Sequence, residues 1–202
     1  MGRPALDDKT LSAMRGRLAE ATLAIYRERG LDAISFRRVA ERVGVSHTLI
    51  YRYFPDKDAL LAHARRDCFQ RFDTFVRARE ITDAGMFAHF HSIAHAYVAF
   101  AEEHTGDYVL MFSTEQPPPD RYPELLAARQ DMFEHAVAAI AFYVDAGELV
   151  GDPRLVAHAF WINLHGLMML YTARQLVHGC ALDELVDPII DRLIAGGTTA
   201  SG

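Results

Sequence analysis

Two histidines four residues apart, His91 and His95, fall on one face of a helix, the spacing that two imidazole ligands of a metal ion require. No carboxylate or cysteine stands at a matching offset, so both are read as core or surface histidines, and no metal or other cofactor is expected. A helical enzyme using this pair with Glu102 or Glu103 around a metal is the rival that the spacing keeps open. Cys68 and Cys180 lie far apart with no ligand spacing and read as plain thiols rather than as a disulfide framework or zinc ribbon.

A different chemistry is offered by Ser46-His-Thr-Leu-Ile-Tyr51-Arg-Tyr-Phe54. His47, Thr48, Leu49 and Arg52 can hydrogen-bond base edges or touch a thymine methyl, and Tyr51 and Tyr53 flank them. Arg37 and Arg38 lie a few residues upstream, and Lys57 lies just beyond; these cations suit phosphates or a guanine. Arg3, in a Gly-Arg-Pro arm, could reach an adjacent minor groove. The net charge of -6 opposes a nucleic-acid partner until it is divided along the chain. Residues 1–55 carry ten Lys or Arg against six Asp or Glu, whereas residues 56–202 carry eleven against twenty-one. A basic head on an acidic body concentrates phosphate attraction at one end.

The elements that must hold these residues all read as helices, because apolar positions recur at steps of three and four and alternating runs are missing. A first helix starts near Asp8, repeats Leu11, Met14, Leu18, Ala21 and Ile25, and ends at Gly30. Ser35 caps a short helix that Gly44 closes, and Ser46 caps a second one reaching Phe54. Asp56 caps a long helix from Lys57 to about Arg79. Further helices cover Met86 to Glu103, with Gly106 as a break, then Tyr108 to Phe112. Pro117, Pro118 and Pro119 make a loop. The remaining helices run from Pro123 to Ala146, from Arg154 to His178 behind an Asp152-Pro153 start, and from Leu182 to Ala195. The expectation is an all-α chain of about nine helices: a domain over 1–56, a second over 57–195, and a mobile tail over 196–202.

Two short helices joined at Gly44-Val45 and flanked by long ones outline a helix-turn-helix. Val39, Ala40, Val43, Val45 and Ile50 are compact enough to let the pair cross closely. Gly44 supplies a turn conformation that a side chain resists, and capping by Ser46 leaves the N-terminal end of the second helix free to face phosphate or bases.

The stretch Leu18-Ala-Glu-Ala21 through Tyr26-Arg-Glu-Arg-Gly30, then Ile34-Ser-Phe-Arg-Arg-Val39-Ala40, and Gly44-Val-Ser-His-Thr-Leu-Ile-Tyr51-Arg-Tyr-Phe54-Pro-Asp-Lys57-Asp-Ala-Leu-Leu61 resembles the TetR-family DNA-binding domain over about fifty residues. The resemblance implies that Arg37, His47, Thr48, Tyr51, Tyr53 and Lys57 fall where family members touch DNA; Leu49 departs from the small hydroxyl residue common there. Ala96-Tyr97-Val-Ala-Phe100-Ala101-Glu-Glu-His104 with Tyr108-Val-Leu-Met111-Phe112, and Phe160-Trp161-Ile-Asn-Leu-His165-Gly166-Leu167, resemble a TetR C-terminal class marked by Trp, His and Gly. This implies a helical regulatory domain whose last two helices form a homodimer bundle.

Independently of the family, Phe160, Leu164, Leu167, Met168 and Tyr171 form a broad apolar face on one helix, and Leu182, Leu185, Ile189, Ile190 and Leu193 form another on the last. A two-fold four-helix interface is therefore expected. A pocket for a small apolar or aromatic effector draws its candidates from Phe87, Phe90, Tyr97, Met111, Phe112, Met132, Phe142, Trp161 and Met168, with His165 beside them.

The reading is a ligand-responsive transcriptional repressor, not an enzyme, that binds a palindromic double-stranded operator. A helical interaction module without DNA affinity is the second rival. No apolar stretch approaches the roughly 18 to 20 residues of a membrane span, and the start of the chain lacks a secretory signal, so a cytoplasmic protein is expected.

Overall fold

The computed structural model describes residues 8–112 and 116–197; Arg3 and most of the expected tail lie outside them. Among the described residues there are nine α-helices, one short 3-10 turn and no strand. They are α1 (Asp8–Arg29), α2 (Phe36–Val43), α3 (His47–Ile50), α4 (Lys57–Arg77), α5 (Met86–Glu103), α6 (Thr105–Met111), α7 (Pro123–Asp145), α8 (Pro153–Thr172) and α9 (Leu182–Gly197).

Local chemistry sets most of the boundaries. Ser35 is extended, and its hydroxyl oxygen accepts from the Arg38 amide at 3.3 Å, which starts α2. Gly44 stops it with φ +76°, and the Gly44 and Val45 amides both donate to the Ala40 carbonyl, at 2.9 and 3.0 Å. Asp56 accepts from the Ala59 amide at 2.7 Å at the head of α4. Asp152 accepts from the Arg154 and Leu155 amides ahead of Pro153, at the head of α8.

Three boundaries differ from the sequence reading. The second short helix is one turn, and its continuation to Phe54 is made of tighter turns, with the Arg52 amide donating to the Leu49 carbonyl and the Tyr53 amide to that of Ile50. Pro55 is the reason, since the residue before a proline is steered away from the α region. Gly106 sits inside α6 rather than breaking a helix; the break falls at His104, whose φ of -124° leaves the helical range. Helix α8 ends at Thr172, six residues early. Arg174 takes a left-handed φ of +57°, and the Gln175 amide reaches back to the Leu170 carbonyl at 2.7 Å, a six-to-one closure that satisfies a terminal carbonyl and turns the chain away.

The described residues form two compact units. One comprises the chain up to Cys68 together with Leu110–Ala128. Its core joins Leu18, Ile25, Val39, Ile50, Phe54 and Leu60 from α1 to α4. The later segment joins it through Arg66, which donates to Glu124 at 2.6 Å, and through Arg121 beside Asp58 at 3.4 Å. The other unit comprises Phe69–Val109 and the chain from Arg129 onward, where α5, α8 and α9 pack against one another. The units thus divide α4 after Cys68, whereas the helix pattern alone suggested a boundary at its first residue.

Among the described residues no helix is long and apolar enough to cross a membrane.

Candidate nucleic-acid interface and ligand cavity

In the first unit, Gly44 sets the angle between α2 and α3, and the buried side chains of Val39, Ala40 and Ile50 hold it. Arg37, Arg38, Ser46, His47, Thr48, Tyr51 and Arg52 are all exposed. The Tyr51 ring is 58 % exposed yet fixed by an edge-on contact with Phe36, centroids 4.8 Å apart, so its hydroxyl is presented on a braced ring. Arg37 pairs with Glu41 one turn on, at 3.0 Å, a contact worth little at an exposed position. Arg38 donates to the Ala33 carbonyl at 2.8 Å. Lys57 is half-buried with its ammonium 3.5 Å from the Leu31 carbonyl, which fixes where the charge sits at the head of α4.

Three expected roles change. Tyr53 is buried in the core rather than displayed, because the tight turns after Ile50 rotate it inward beside Phe54. Leu49 is half-buried and packs against the same core. Ser46 occupies the cap position with extended backbone, but its side chain makes no capping hydrogen bond; the one-turn helix leaves the Leu49 amide bonded to the Ser46 carbonyl instead.

The second unit contains an apolar cavity among α4, α5, α7 and α8, with about 730 Å³ of empty space including its open mouth. The space inside it that a water-sized sphere can occupy is about 80 Å³, below the roughly 300–1,000 Å³ of small-molecule sites, so an effector of that size enters only as the wall side chains move apart. Four expected residues line it: Phe90, Tyr97, Met132 and Trp161. The other six candidates do not. Met168 and Met111 are fully buried core side chains, Met111 in the other unit, Phe112 is half-buried outside the wall, and Phe142 points outward at 65 % exposure. His165 stands behind the wall. Phe87 is also exposed and outside the cavity. The sequence reading missed Phe72, Val76, Phe133 and Phe160, and the polar pair Asp73 and His135, as lining residues. Phe72 and Val76 were legible as a four-residue step on α4, but nothing in that step told a cavity wall from plain core.

Polar groups meet this wall in two chains. The Tyr97 hydroxyl lies 2.9 Å from that of Tyr108, which lies 2.7 Å from Nδ1 of His165. Burial raises the pKa of Tyr97 well above its ordinary value, the neighbouring Tyr108 adds to this, and hydrogen bonding from Trp161 works the other way. Burial likewise pushes Tyr108 up. Burial lowers His165, so its Nδ1 is a lone-pair acceptor for the Tyr108 hydroxyl at neutral pH. The Trp161 ring stacks on His165 with centroids 5.7 Å apart, so the His165 ring acts on the cavity through its neighbours.

In the second chain, Arg77 links Asp73, at 2.7 Å, to Nδ1 of His135, at 2.8 Å. Arginine can only donate, so His135 carries its hydrogen on Nε2 and donates to Glu80 at 2.8 Å. The other Glu80 oxygen meets His89 at 2.5 Å, and His89 meets the Tyr143 hydroxyl at 3.0 Å.

The lowered imidazoles give a pH prediction. Desolvation holds His63 as well as His165 below the ordinary value. On acidification the unfolded chain takes up these protons near pH 6.5, where a free imidazole titrates, while the folded chain does not. Their contribution to stability is therefore complete above about pH 6.5 and is lost progressively below it. His165→Asn, which keeps an acceptor near the Nδ1 position, should show a shallower fall in thermal midpoint on acidification than the parent. An identical pH profile would show that His165 does not titrate in this way.

Sequence spacing also failed to show what surrounds His91 and His95. Helix α9 brings Asp187 and Asp191 against them, from more than ninety residues away.

A helix-turn-helix with an exposed polar row, followed by a helical unit with an apolar cavity, defines a class of one-chain DNA-binding regulators. Residues 18–64 match the bacterial regulatory proteins of the tetR family, and residues 90–193 match the tetracyclin repressor-like C-terminal domain. The chain belongs to the TetR family.

Among curated relatives it is 38 % identical over 74 residues to the HTH-type transcriptional repressor KstR of Rhodococcus jostii, covering 37 % of this chain and 35 % of that protein. It is 27 % identical over 124 residues to the nucleoid occlusion factor SlmA of Haemophilus influenzae, covering 56 % and 55 %. The chain thus spans between about a third and just over half of the length of these relatives. A solved structure of a protein of unknown function from Rhodococcus sp. RHA1 is similar throughout, with TM-score 0.81 at 26 % identity over 92 % of this chain and 96 % of that one.

Proposed function

We propose that the protein is a dimeric transcriptional repressor that reads a palindromic DNA operator and releases it when a small, mainly apolar or aromatic molecule occupies the cavity. The exposed row of Arg37, His47, Thr48, Tyr51 and Arg52 around a rigid Gly44 turn carries this reading. They are displayed to solvent, with Tyr51 braced on Phe36 and Arg37 paired with Glu41, and their chemistry is that of major-groove contact. The KstR relative, a transcriptional repressor by name, supports it over the 74 residues that match. A chromosome-bound role places the protein in the cytoplasm, and no catalytic function is assigned.

Dimerisation is proposed through α8 and α9, by a face of α8 other than the one its large side chains suggested. Leu164, Leu167 and Met168 are buried within their own unit and Phe160 lines the cavity, because α8 is apolar nearly all round and tertiary packing took that side. The side left outward carries Leu155, Ile162 and Met169 at seven-residue steps, with Ala159 and Gly166 between them. Leu155 is 71 % and Ile162 61 % exposed, and alternating large and small residues at this spacing suit a second helix. Two-fold pairing would let the reading units meet major grooves about 34–36 Å apart.

Helix α4 begins at Lys57 and carries Phe72 and Val76 of the cavity wall, so one helix contains both a cation of the interface and a wall of the cavity. Ligand-driven movement of α4 is the proposed link. Such coupling is reciprocal, so operator DNA should weaken effector binding by the same factor.

A gel shift with sequences selected from a random DNA pool tests the reading. Binding should weaken steeply with salt. Lys57→Ala should weaken every sequence alike and flatten the logarithmic salt slope by about one unit, whereas His47→Ala should change base preference by about 1–3 kcal/mol. A dimer that ignores every duplex at low salt would leave an interaction module as the answer.

A further inference from the structure

We propose that His91, His95 and Asp187 form a binding site for a single divalent transition-metal ion of the zinc class, with Asp191 positioning His91. The three side chains each offer one ligand atom, and these atoms lie within 4.8 Å of one another. Nδ1 of His91 is 3.0 Å, and Nε2 of His95 is 2.7 Å, from the same Asp187 oxygen. Ligands on a tetrahedral zinc, bonded at about 2.0–2.1 Å, sit roughly 3.3 Å apart, so each of the two distances to Asp187 needs a modest opening to admit the ion. The imidazole rings are near parallel, 29° apart with centroids at 6.2 Å, so the two side chains approach the shared oxygen from the same α5 face.

The chemistry of His91 argues for a cation. Nε2 lies 2.9 Å from an Asp191 oxygen while Nδ1 faces Asp187. A neutral imidazole has one ring hydrogen and donates to only one of them, so either an imidazolium donates to both carboxylates or a metal ion takes the place of one hydrogen. With the hydrogen on Nε2 and donated to Asp191, Nδ1 is a lone pair pointing at a carboxylate, an arrangement that a metal ion between them satisfies. A carboxylate holding the far nitrogen of a metal-bound histidine is the arrangement that fixes its tautomer and raises its basicity. Two imidazoles and one carboxylate suit zinc, nickel or cobalt better than calcium or magnesium, which take oxygen shells. Three protein ligands leave the fourth tetrahedral position to water.

The site is half open to solvent and lies between α5 and α9. At 100° per residue, Asp187 and Asp191 stand on one flank of the buried row Val186, Ile190 and Ile194, and Leu185, Ile189 and Leu193 stand on the other. The ion would therefore pin α5 to α9 without using that apolar flank. The inference does not depend on the repressor reading and can fail separately from it.

The test is calorimetric titration of the chelator-stripped full chain with zinc chloride, repeated with cobalt as a visible-light probe. One equivalent per chain and a tetrahedral cobalt spectrum are expected. His95→Ala and Asp187→Asn should each weaken binding at least a hundredfold, and Asp191→Asn should weaken it about 10- to 100-fold with stoichiometry unchanged. His158→Ala, at an exposed histidine outside the cluster, should bind like the parent. No saturable binding, or binding that survives both His95→Ala and Asp187→Asn, overturns the proposal. Should a variant fail to fold, X-ray absorption on the zinc-loaded parent decides: two imidazole ligands support the site and fewer refute it.

Discussion

Phe54→Ala is expected to lower the unfolding free energy by about 3–5 kcal/mol and to abolish operator binding at the temperature where the parent binds. Phe54 is buried at the point where the reading segment turns into α4. Its ring meets His63 edge-on at 5.3 Å, and the Arg15 guanidinium lies over it at 5.8 Å. Removing the ring leaves a cavity under the tight turns that carry Tyr51 and Arg52, and those turns have only short-range hydrogen bonds of their own. Denaturant unfolding measures the first effect and a gel shift the second. A loss below about 1 kcal/mol would mean that the segment is held by something other than this core contact.

Met168→Ala is expected to cost about 2–5 kcal/mol, while Phe142→Ala should change stability by about 0.5 kcal/mol or less. Both are large apolar residues that sequence spacing nominated for an effector pocket. Met168 is fully buried in α8 outside the cavity wall, whereas the Phe142 ring projects into solvent beside Tyr143. Truncating Met168 should thus reduce thermal stability without altering the cavity's lining. Equal and small effects from both substitutions would show that Met168 is not close-packed.

The helix-turn-helix was legible because its signals are local. Ser35, Gly44 and Asp56 act on backbone groups within a few residues, and the apolar set from Leu18 to Leu61 packs within one short stretch of chain. Tyr53 was misplaced because the helix ends after one turn ahead of Pro55, and the tighter turns that follow rotate its side chain inward. The cavity was legible only as a composition. Aromatic and methionine residues recur at helical steps on α5, α7 and α8, and helices apolar on most sides do not announce which side meets a neighbour.

What the sequence determined by itself was the helical class, the position and polarity of the reading head, and the separation of a basic start from an acidic remainder, since each follows from periodicity, caps and charge along the chain. Tertiary structure alone decided that Phe72, Val76 and His135 share a wall with Trp161, that Met168 is core, and that Asp187 meets His91 and His95. Those meetings depend on the rotation of whole helices about their axes, which is settled by long-range packing and leaves no periodic trace in a single chain.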